Sequence, residues 1–300
     1  MSSPLSFAGR VVIVTGAGAG MGRSHARVLA ARGARVVVND IRSAAAVVDE
    51  IRAAGGEALA DENDISTPEG APRLIESALG HFGAIDAVVN NAGIPCGDPF
   101  PEVTWERFDQ VQKVNAYGAY FVTQHAWPHL IASGSGRVVM IASKAAAIGA
   151  PHLSAYGASK GAILAMTRQI AAEGAAHGIG VNAVTPSAIT QMSVRPHPLS
   201  ARMAQWLGVD PADRAMLAER SAAVVSTVVA WLCHPDCGSN GEFIDAVGGQ
   251  TSRLTFAMAS GIADGDLTVE TVRDRFDEIL DMDGASILPT LFMPSTQTAD

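Results

Sequence analysis

Tyr156 and Lys160 stand four residues apart in Tyr156-Gly-Ala-Ser-Lys160, within a helix-compatible run from Ser154 to His177, so both side chains project from one helix face. A phenol beside an ammonium is a proton-transfer pair. Oxidising an alcohol requires a base at its hydroxyl, but a free phenol with a pKa of about 10 is protonated at neutral pH. Lowering that value by about three units takes roughly 4 kcal/mol, and one cation about 4 Å away at an effective dielectric of about 20 supplies that much. On this reckoning Lys160 is an adequate activator of Tyr156. Ser143 lies 13 residues upstream of Tyr156, just past a β-rich run, and its hydroxyl can hydrogen-bond a substrate oxygen. Taken singly, Y-x-x-x-K also describes an ordinary helix face and a lone serine an ordinary turn residue.

A second chemical signal stands near the amino terminus. Thr15-Gly-Ala-Gly-Ala-Gly-Met-Gly22 follows an apolar run and opens a helix-compatible one. Gly16, Gly20 and Gly22 can take positive φ or allow close backbone approach, so a pyrophosphate can rest, around Met21, on the free N–H groups at the positive end of the helix. The spacing T-G-x-x-x-G-x-G differs from G-x-G-x-x-G, and a glycine-rich turn can also serve tight packing alone. Asp40 adds to it. It closes the second β-rich run 18 residues past Gly22, near the interval expected for a carboxylate that binds the ribose hydroxyls of NAD and repels the 2′-phosphate of NADP. NAD is therefore the expected cofactor, and its oxidised nicotinamide would add positive charge beside Tyr156. Arg42, two residues further on, could serve a 2′-phosphate or be a solvated charge at a helix start.

These residues need a scaffold, and the chain outlines one. Apolar β-rich runs recur at Val11–Val14, Val36–Val38, Ile85–Val89, Val138–Ile141 and Ile179–Val184, separated by the helix-compatible stretches 20–31, 43–54, 67–82, 104–132 and 154–177. The β runs lack polar alternation, so both faces are expected to be covered, as in a doubly wound parallel α/β sheet with helices on each side. A helix is predicted over Val225–Cys233 and a last strand over Gly241–Val247. The proline-interrupted stretch 187–220 reads as a substrate lid. A single amphipathic helix is predicted over Val269–Asp281, with Val269, Val272, Phe276, Ile279 and Leu280 in one stripe for core or subunit packing. The expected division is a Rossmann-like domain over residues 1–253 and a helical extension, 254–300, packed on it.

The glycine turn together with Asn90-Asn-Ala-Gly93, Asn115, Ser143 and Tyr156-Gly-Ala-Ser-Lys160 resembles the short-chain dehydrogenase/reductase family over residues 7–250. That resemblance implies a single Rossmann-like domain, Tyr156 as general acid/base and Asn115 holding a water that relays protons through Lys160. It implies Asp64 and Ile65, after a third strand, beside the adenine, and Asn90 supporting the cofactor-binding turn. Asn91, Ala92, Gly93 and Pro186 would line the cofactor, with Thr190 at the nicotinamide carboxamide; Ser187 stands where the family usually has glycine. Phe7–Gly22, Val36–Asp40, Trp231–His234, Leu267–Arg273 and Asp281–Ser286 further resemble the (3R)-hydroxyacyl-CoA dehydrogenase region of peroxisomal multifunctional enzyme type 2 and its stand-alone bacterial relatives. A 3-hydroxyacyl-CoA or hydroxysteroid-like secondary alcohol is the implied substrate. The resemblance also implies a homotetramer or homodimer formed through the helices of residues 104–132 and 154–177. The competing readings are an NADP-linked reductase of small carbonyls or terpenoids and a catalytically silent NAD-sensing regulator.

Composition narrows the partners. Of 300 residues 48% are hydrophobic and 17% charged, which suits a buried sheet rather than a disordered chain, and the net charge of −9 argues against a nucleic-acid surface. No apolar run reaches the roughly 18 residues of a membrane span, and the first ten residues lack a leader pattern, so the expected location is the cytoplasm. Cys96, Cys233 and Cys237 suggest no disulfide framework; Cys233-His-Pro-Asp-Cys237 offers ligand types without a second pair, so no metal is expected. In the lid, Arg195, His197 and Arg202 suit CoA phosphates or plain solvation.

Overall fold

The computed structural model describes residues 4–187, 211–247 and 249–291. Within them an eight-stranded sheet runs in the order β3-β2-β1-β4-β5-β6-β7-β8. Its strands are β1 (Val11–Thr15), β2 (Arg35–Asn39), β3 (Glu57–Asp61), β4 (Ala87–Asn90), β5 (Arg137–Ile141), β6 (Gly180–Ser187), β7 (Phe243–Val247) and β8 (Gln250–Leu254). All neighbours are parallel except β7 and β8. The main helices are α1 (Gly20–Ala30), α2 (Ala44–Ala53), α3 (Gly70–Phe82), α4 (Trp105–Gln112), α5 (Gly118–Ala132), α6 (Ser154–Gly174) and α7 (Pro211–Cys233).

Strand alternation sorts the core into two layers. Val12, Val14, Val36, Val38, Val89 and Val139 face the α1, α2 and α7 side, while Val11, Ile13, Val37, Val88, Val138 and Met140 face the α3, α5 and α6 side. Every residue of β1, β4 and β5 is buried, and each such valine contributes on the order of 1.5–3 kcal/mol by leaving water. Strand order reverses between β1 and β4, so the loops after these two strands diverge and leave a crevice at their carboxyl ends.

Four elements differ from the sequence-based expectation. The stretch 104–132 is interrupted: a π-helical turn, Lys113–Tyr117, joins α4 to α5. Helix α7 begins at Pro211 rather than near Val225, because proline is well tolerated in a first helical turn, where its missing N–H has no partner to lose. The polar edge strand β8 carries no apolar alternation and is decided by its pairing to β7, which closes near Gly249 at φ +97°. The amphipathic helix of residues 269–281 is instead two short helices, α8 (Val269–Asp274) and α9 (Phe276–Leu280), parted at Arg275. Among the described residues its apolar stripe meets no core: Val269, Phe276 and Leu280 are 81%, 51% and 60% exposed. A small antiparallel pair, β9 (Ala257–Met258) with β10 (Ser286–Ile287), closes this excursion. Thr190, Arg195, His197, Arg202 and most of the expected lid lie outside the described residues.

Candidate active site

The turn after β1 is built by side-chain hydrogen bonds. Thr15 is fully buried; its Oγ1 accepts the N–H groups of Asn91 and Ala92, both at 3.1 Å. The Asn91 amide donates back to the carbonyls of Thr15 and Gly16 at 2.9 and 3.0 Å. Asn91 therefore supports the cofactor turn, which corrects the role expected of Asn90. Being one residue earlier on β4, Asn90 points to the opposite sheet face and donates to Thr123 Oγ1 at 2.8 Å and Met140 Sδ at 3.3 Å. Gly16 has φ +61° and packs so closely that a Cβ would come within 2.7 Å of the Ala92 Cα.

The mouth of α1 is suited to an anion. Its N-cap, Ala19, offers no side-chain acceptor and no acidic residue lies in its first turn, so its first N–H groups keep their positive character for a ligand. Asp40 sits one residue past β2, and its carboxylate accepts the Gly18 N–H and the Arg42 N–H, each at 3.1 Å. Gly18 is a position that the spacing argument passed over: a Cβ there would meet Asp40 Cγ at 2.8 Å. Asp64 is exposed and accepts the N–H and hydroxyl of Ser66, while the neighbouring Ile65 is buried. Asp61, buried beside it, is held by the side-chain amides of Asn39 and Asn63, each at 2.8 Å.

On the other side of the crevice the proton-transfer residues converge. Asn115 sits in the π-helical turn, a device common at functional sites. Its amide oxygen accepts the Ile94 N–H at 2.7 Å, and its amide nitrogen donates to the Ile94 carbonyl and Ser159 Oγ, both at 3.0 Å. Ser159 in turn donates to the Tyr156 carbonyl at 2.7 Å, tying Asn115 to the helix of Tyr156. A Cβ on Gly93 would lie 3.4 Å from Asn115 Oδ1 and 3.5 Å from Lys160 Nζ, so these three residues share one spot. Tyr156 packs with Cys96, Val111 and Ala155. Four residues before it, His152 takes φ +65° and has a buried Nδ1 without a hydrogen-bond partner among the described atoms.

Electrostatics revise the simple picture of Lys160 activating Tyr156. Lys160 is buried and donates to the Ile141 carbonyl at 2.7 Å; its Nζ stands 5.9 Å from the Tyr156 ring centre. Burial draws the Lys160 pKa down to about 8. Burial also pushes the Tyr156 phenol up, and a hydrogen bond from Ser143 pulls it partway back. Among the described residues, the hydroxyl of Ser143 is the group that draws the phenol back towards its ordinary value.

The cysteines are free and buried, with Cys233 pushed up to about 12 by burial, a value that suits packing and not ligation or catalysis. Among the described residues no group of three or more His, Cys, Asp or Glu side chains is placed to hold a metal, and no helix is long and apolar enough to cross a membrane.

A Rossmann-like sheet with a glycine turn at its switch point and a tyrosine–lysine pair across the same crevice defines the class of nicotinamide-dependent oxidoreductases. Comparison with known proteins narrows this. Residues 10–197 match the short chain dehydrogenase family, and the chain belongs to that family. A short-chain type dehydrogenase/reductase of Mycobacterium tuberculosis is 36% identical over 93% of this chain and 96% of its own length. Peroxisomal multifunctional enzyme type 2 of Drosophila melanogaster is 34% identical over 95% of this chain, which spans 47% of that protein; its full-length structure superposes with a TM-score of 0.77 at 31% identity, covering 95% of this chain and 48% of that one. A 7α-hydroxysteroid dehydrogenase complexed with NADH and 7-oxo glycochenodeoxycholic acid superposes with a TM-score of 0.70 at 28% identity, over 81% of this chain and 95% of that one.

Proposed function

We propose that this chain catalyses the reversible, NAD-linked oxidation of a secondary alcohol to a ketone, with Tyr156 as general acid/base. The observation that carries this reading is the convergence of Tyr156, Lys160 and Asn115 on one side of the crevice whose other side is the Gly16–Gly22 turn. The residues fit a dinucleotide: an uncapped helix mouth for the pyrophosphate, a carboxylate at Asp40 for the ribose, and a cradle at Gly93 that any side chain would fill. Gly16, Gly20, Met21, Gly22, Asp40, Asp64, Ile65, Asn91, Ala92, Gly93, Pro186 and Thr190 make up the proposed cofactor surface. A dinucleotide held there would supply the hydride acceptor in one direction and the hydride donor in the other.

Ser143 donates to the substrate oxygen and Tyr156 takes that oxygen's proton. Before the alcohol binds, the one hydroxyl proton of Ser143 stabilises the phenolate; with the substrate in place that proton serves the substrate oxygen, and the positive charge on Lys160 then favours the phenolate. Asn115 keeps the π-helical turn open for a proton path through Lys160. The name of the 7α-hydroxysteroid dehydrogenase supports a hydroxysteroid as substrate, the sequence resemblance to the (3R)-hydroxyacyl-CoA dehydrogenase region supports a 3-hydroxyacyl-CoA, and the exposed Tyr117, Tyr120 and Phe121 support a homo-oligomer through α5, which light scattering tests. The deciding experiment follows NADH at 340 nm across 3-hydroxyacyl-CoA, hydroxysteroid and terpenoid alcohols. Turnover with NAD that the Tyr156→Phe variant lacks, at near-normal NADH affinity, supports the reading; equal turnover by that variant, or a preference for NADP, overturns it.

A further inference from the structure

The segment that carries Ser143 is only lightly tied to the sheet by its backbone. Ala142 makes one more bond to β6, its N–H donating to the Val184 carbonyl at 2.8 Å, and the chain then turns through a short 3-10 helix, Lys144–Ala146, whose hydrogen bonds run within the turn. Ser143 caps that turn, its Oγ accepting the Ala145 N–H at 3.2 Å, which leaves the hydroxyl proton for another acceptor. What reaches back to the sheet is the next side chain. Lys144 Nζ lies 2.9 Å from Asp245 Oδ2, and Asp245 sits on β7, two strands from β5. The second oxygen of Asp245 accepts the hydroxyl of Thr185 at 2.9 Å, its register partner on β6.

We propose that the Lys144–Asp245 pair, anchored by Thr185, is a positioning strap that holds the Ser143 hydroxyl at the reacting oxygen. Three features support it. Asp245 is only 15% exposed at its side chain, against 41% for Lys144, and a carboxylate so enclosed is costly unless both oxygens are engaged; here each has one partner. The Lys144 end is part-exposed, so water screens the pair and tempers what it adds to stability, and geometry is the better account of it. The turn also has no slack on its other side: a Cβ on Gly157, the residue after Tyr156, would come 3.0 Å from the Ala145 carbonyl. Strap and helix α6 thus grip the turn between them, which fixes Ser143 relative to Tyr156. The proposal rests on the roles of Ser143 and Tyr156 given above.

The test uses Asp245→Asn, Lys144→Met and Lys144→Arg in the full chain, with the alcohol that the NADH assay identifies, and Ser143→Ala as benchmark. Asp245→Asn and Lys144→Met are expected to lower kcat roughly 10- to 100-fold and to leave NADH affinity within about twofold. They should also shift the basic group in the pH profile of kcat upward, the direction in which Ser143→Ala shifts it. Lys144→Arg should restore most of the activity. Should Asp245→Asn fail to fold, Lys144→Met, at a part-exposed position, carries the test. Wild-type kcat with an unmoved pH profile in Lys144→Met overturns the strap, as does a loss that Lys144→Arg does not repair. If instead Ser143→Ala and Tyr156→Phe are themselves as active as wild type, the underlying reading has failed and not the strap alone.

Discussion

Replacing Lys160 by methionine should abolish turnover and yet make the protein more stable at neutral pH relative to high pH. Lys160 is buried, and its pKa falls from 10.5 to about 8, so the folded state disfavours its charged form. Below pH 8 the folded and unfolded chains both hold the proton, and the fold bears the whole desolvation cost. Between pH 8 and 10.5 the unfolded chain keeps a proton that the folded chain has released, so wild-type stability climbs with pH through that window. A shift of this size corresponds to about 3 kcal/mol. Methionine has no such dependence. The variant also strands the Ile141 carbonyl that Lys160 Nζ reaches at 2.7 Å, which costs on the order of 1–3 kcal/mol; a neutral amine donates to that carbonyl too, so this loss persists at high pH and largely cancels from the comparison. Urea unfolding of both ligand-free proteins at pH 7 and at pH 10.5 measures the difference. The stability of Lys160→Met relative to wild type should drop by about 3 kcal/mol from the lower pH to the higher. A gap equal at both pH values would refute the reasoning, because the ammonium would then be as well solvated in the fold as in water.

Three further outcomes follow from the same site. Thr15→Val removes the acceptor of two backbone N–H groups and should cost roughly 2–4 kcal/mol, read as a lower Tm, with weaker NADH binding because the turn loses its brace. Asp40→Ala should cut the preference for NAD over NADP by about tenfold or more in kcat/KM, since the carboxylate that repels a 2′-phosphate is gone; unchanged preference would mean that another group sets it. Tyr156→Phe should lower kcat by roughly 10²- to 10⁴-fold while NADH fluorescence titration gives a Kd near that of wild type.

What local spacing determines could be read from the chain alone. Tyr156 and Lys160 share a helix face because four residues make about one turn, and Gly16 and Gly20, at φ +61° and +56°, do what a glycine-rich turn between strand and helix requires. The unbroken apolar runs of β1, β2, β4 and β5 announced a sheet covered on both faces, because a strand open to water on one side must alternate. The remaining features depend on partners far away in sequence. Whether Asn90 or Asn91 braces the turn is a matter of strand parity, visible only once β4 is placed between β1 and β5. Lys144 and Asp245 meet across 101 residues, and no pattern near either one signals the other. Burial, a property of the assembled fold, raised the phenol of Tyr156 and lowered the ammonium of Lys160, where the spacing had suggested direct activation. The stripe on α8 and α9 has helical periodicity but finds no core to cover among the described residues, since periodicity states that a face is apolar and only the tertiary structure decides what, if anything, it packs against.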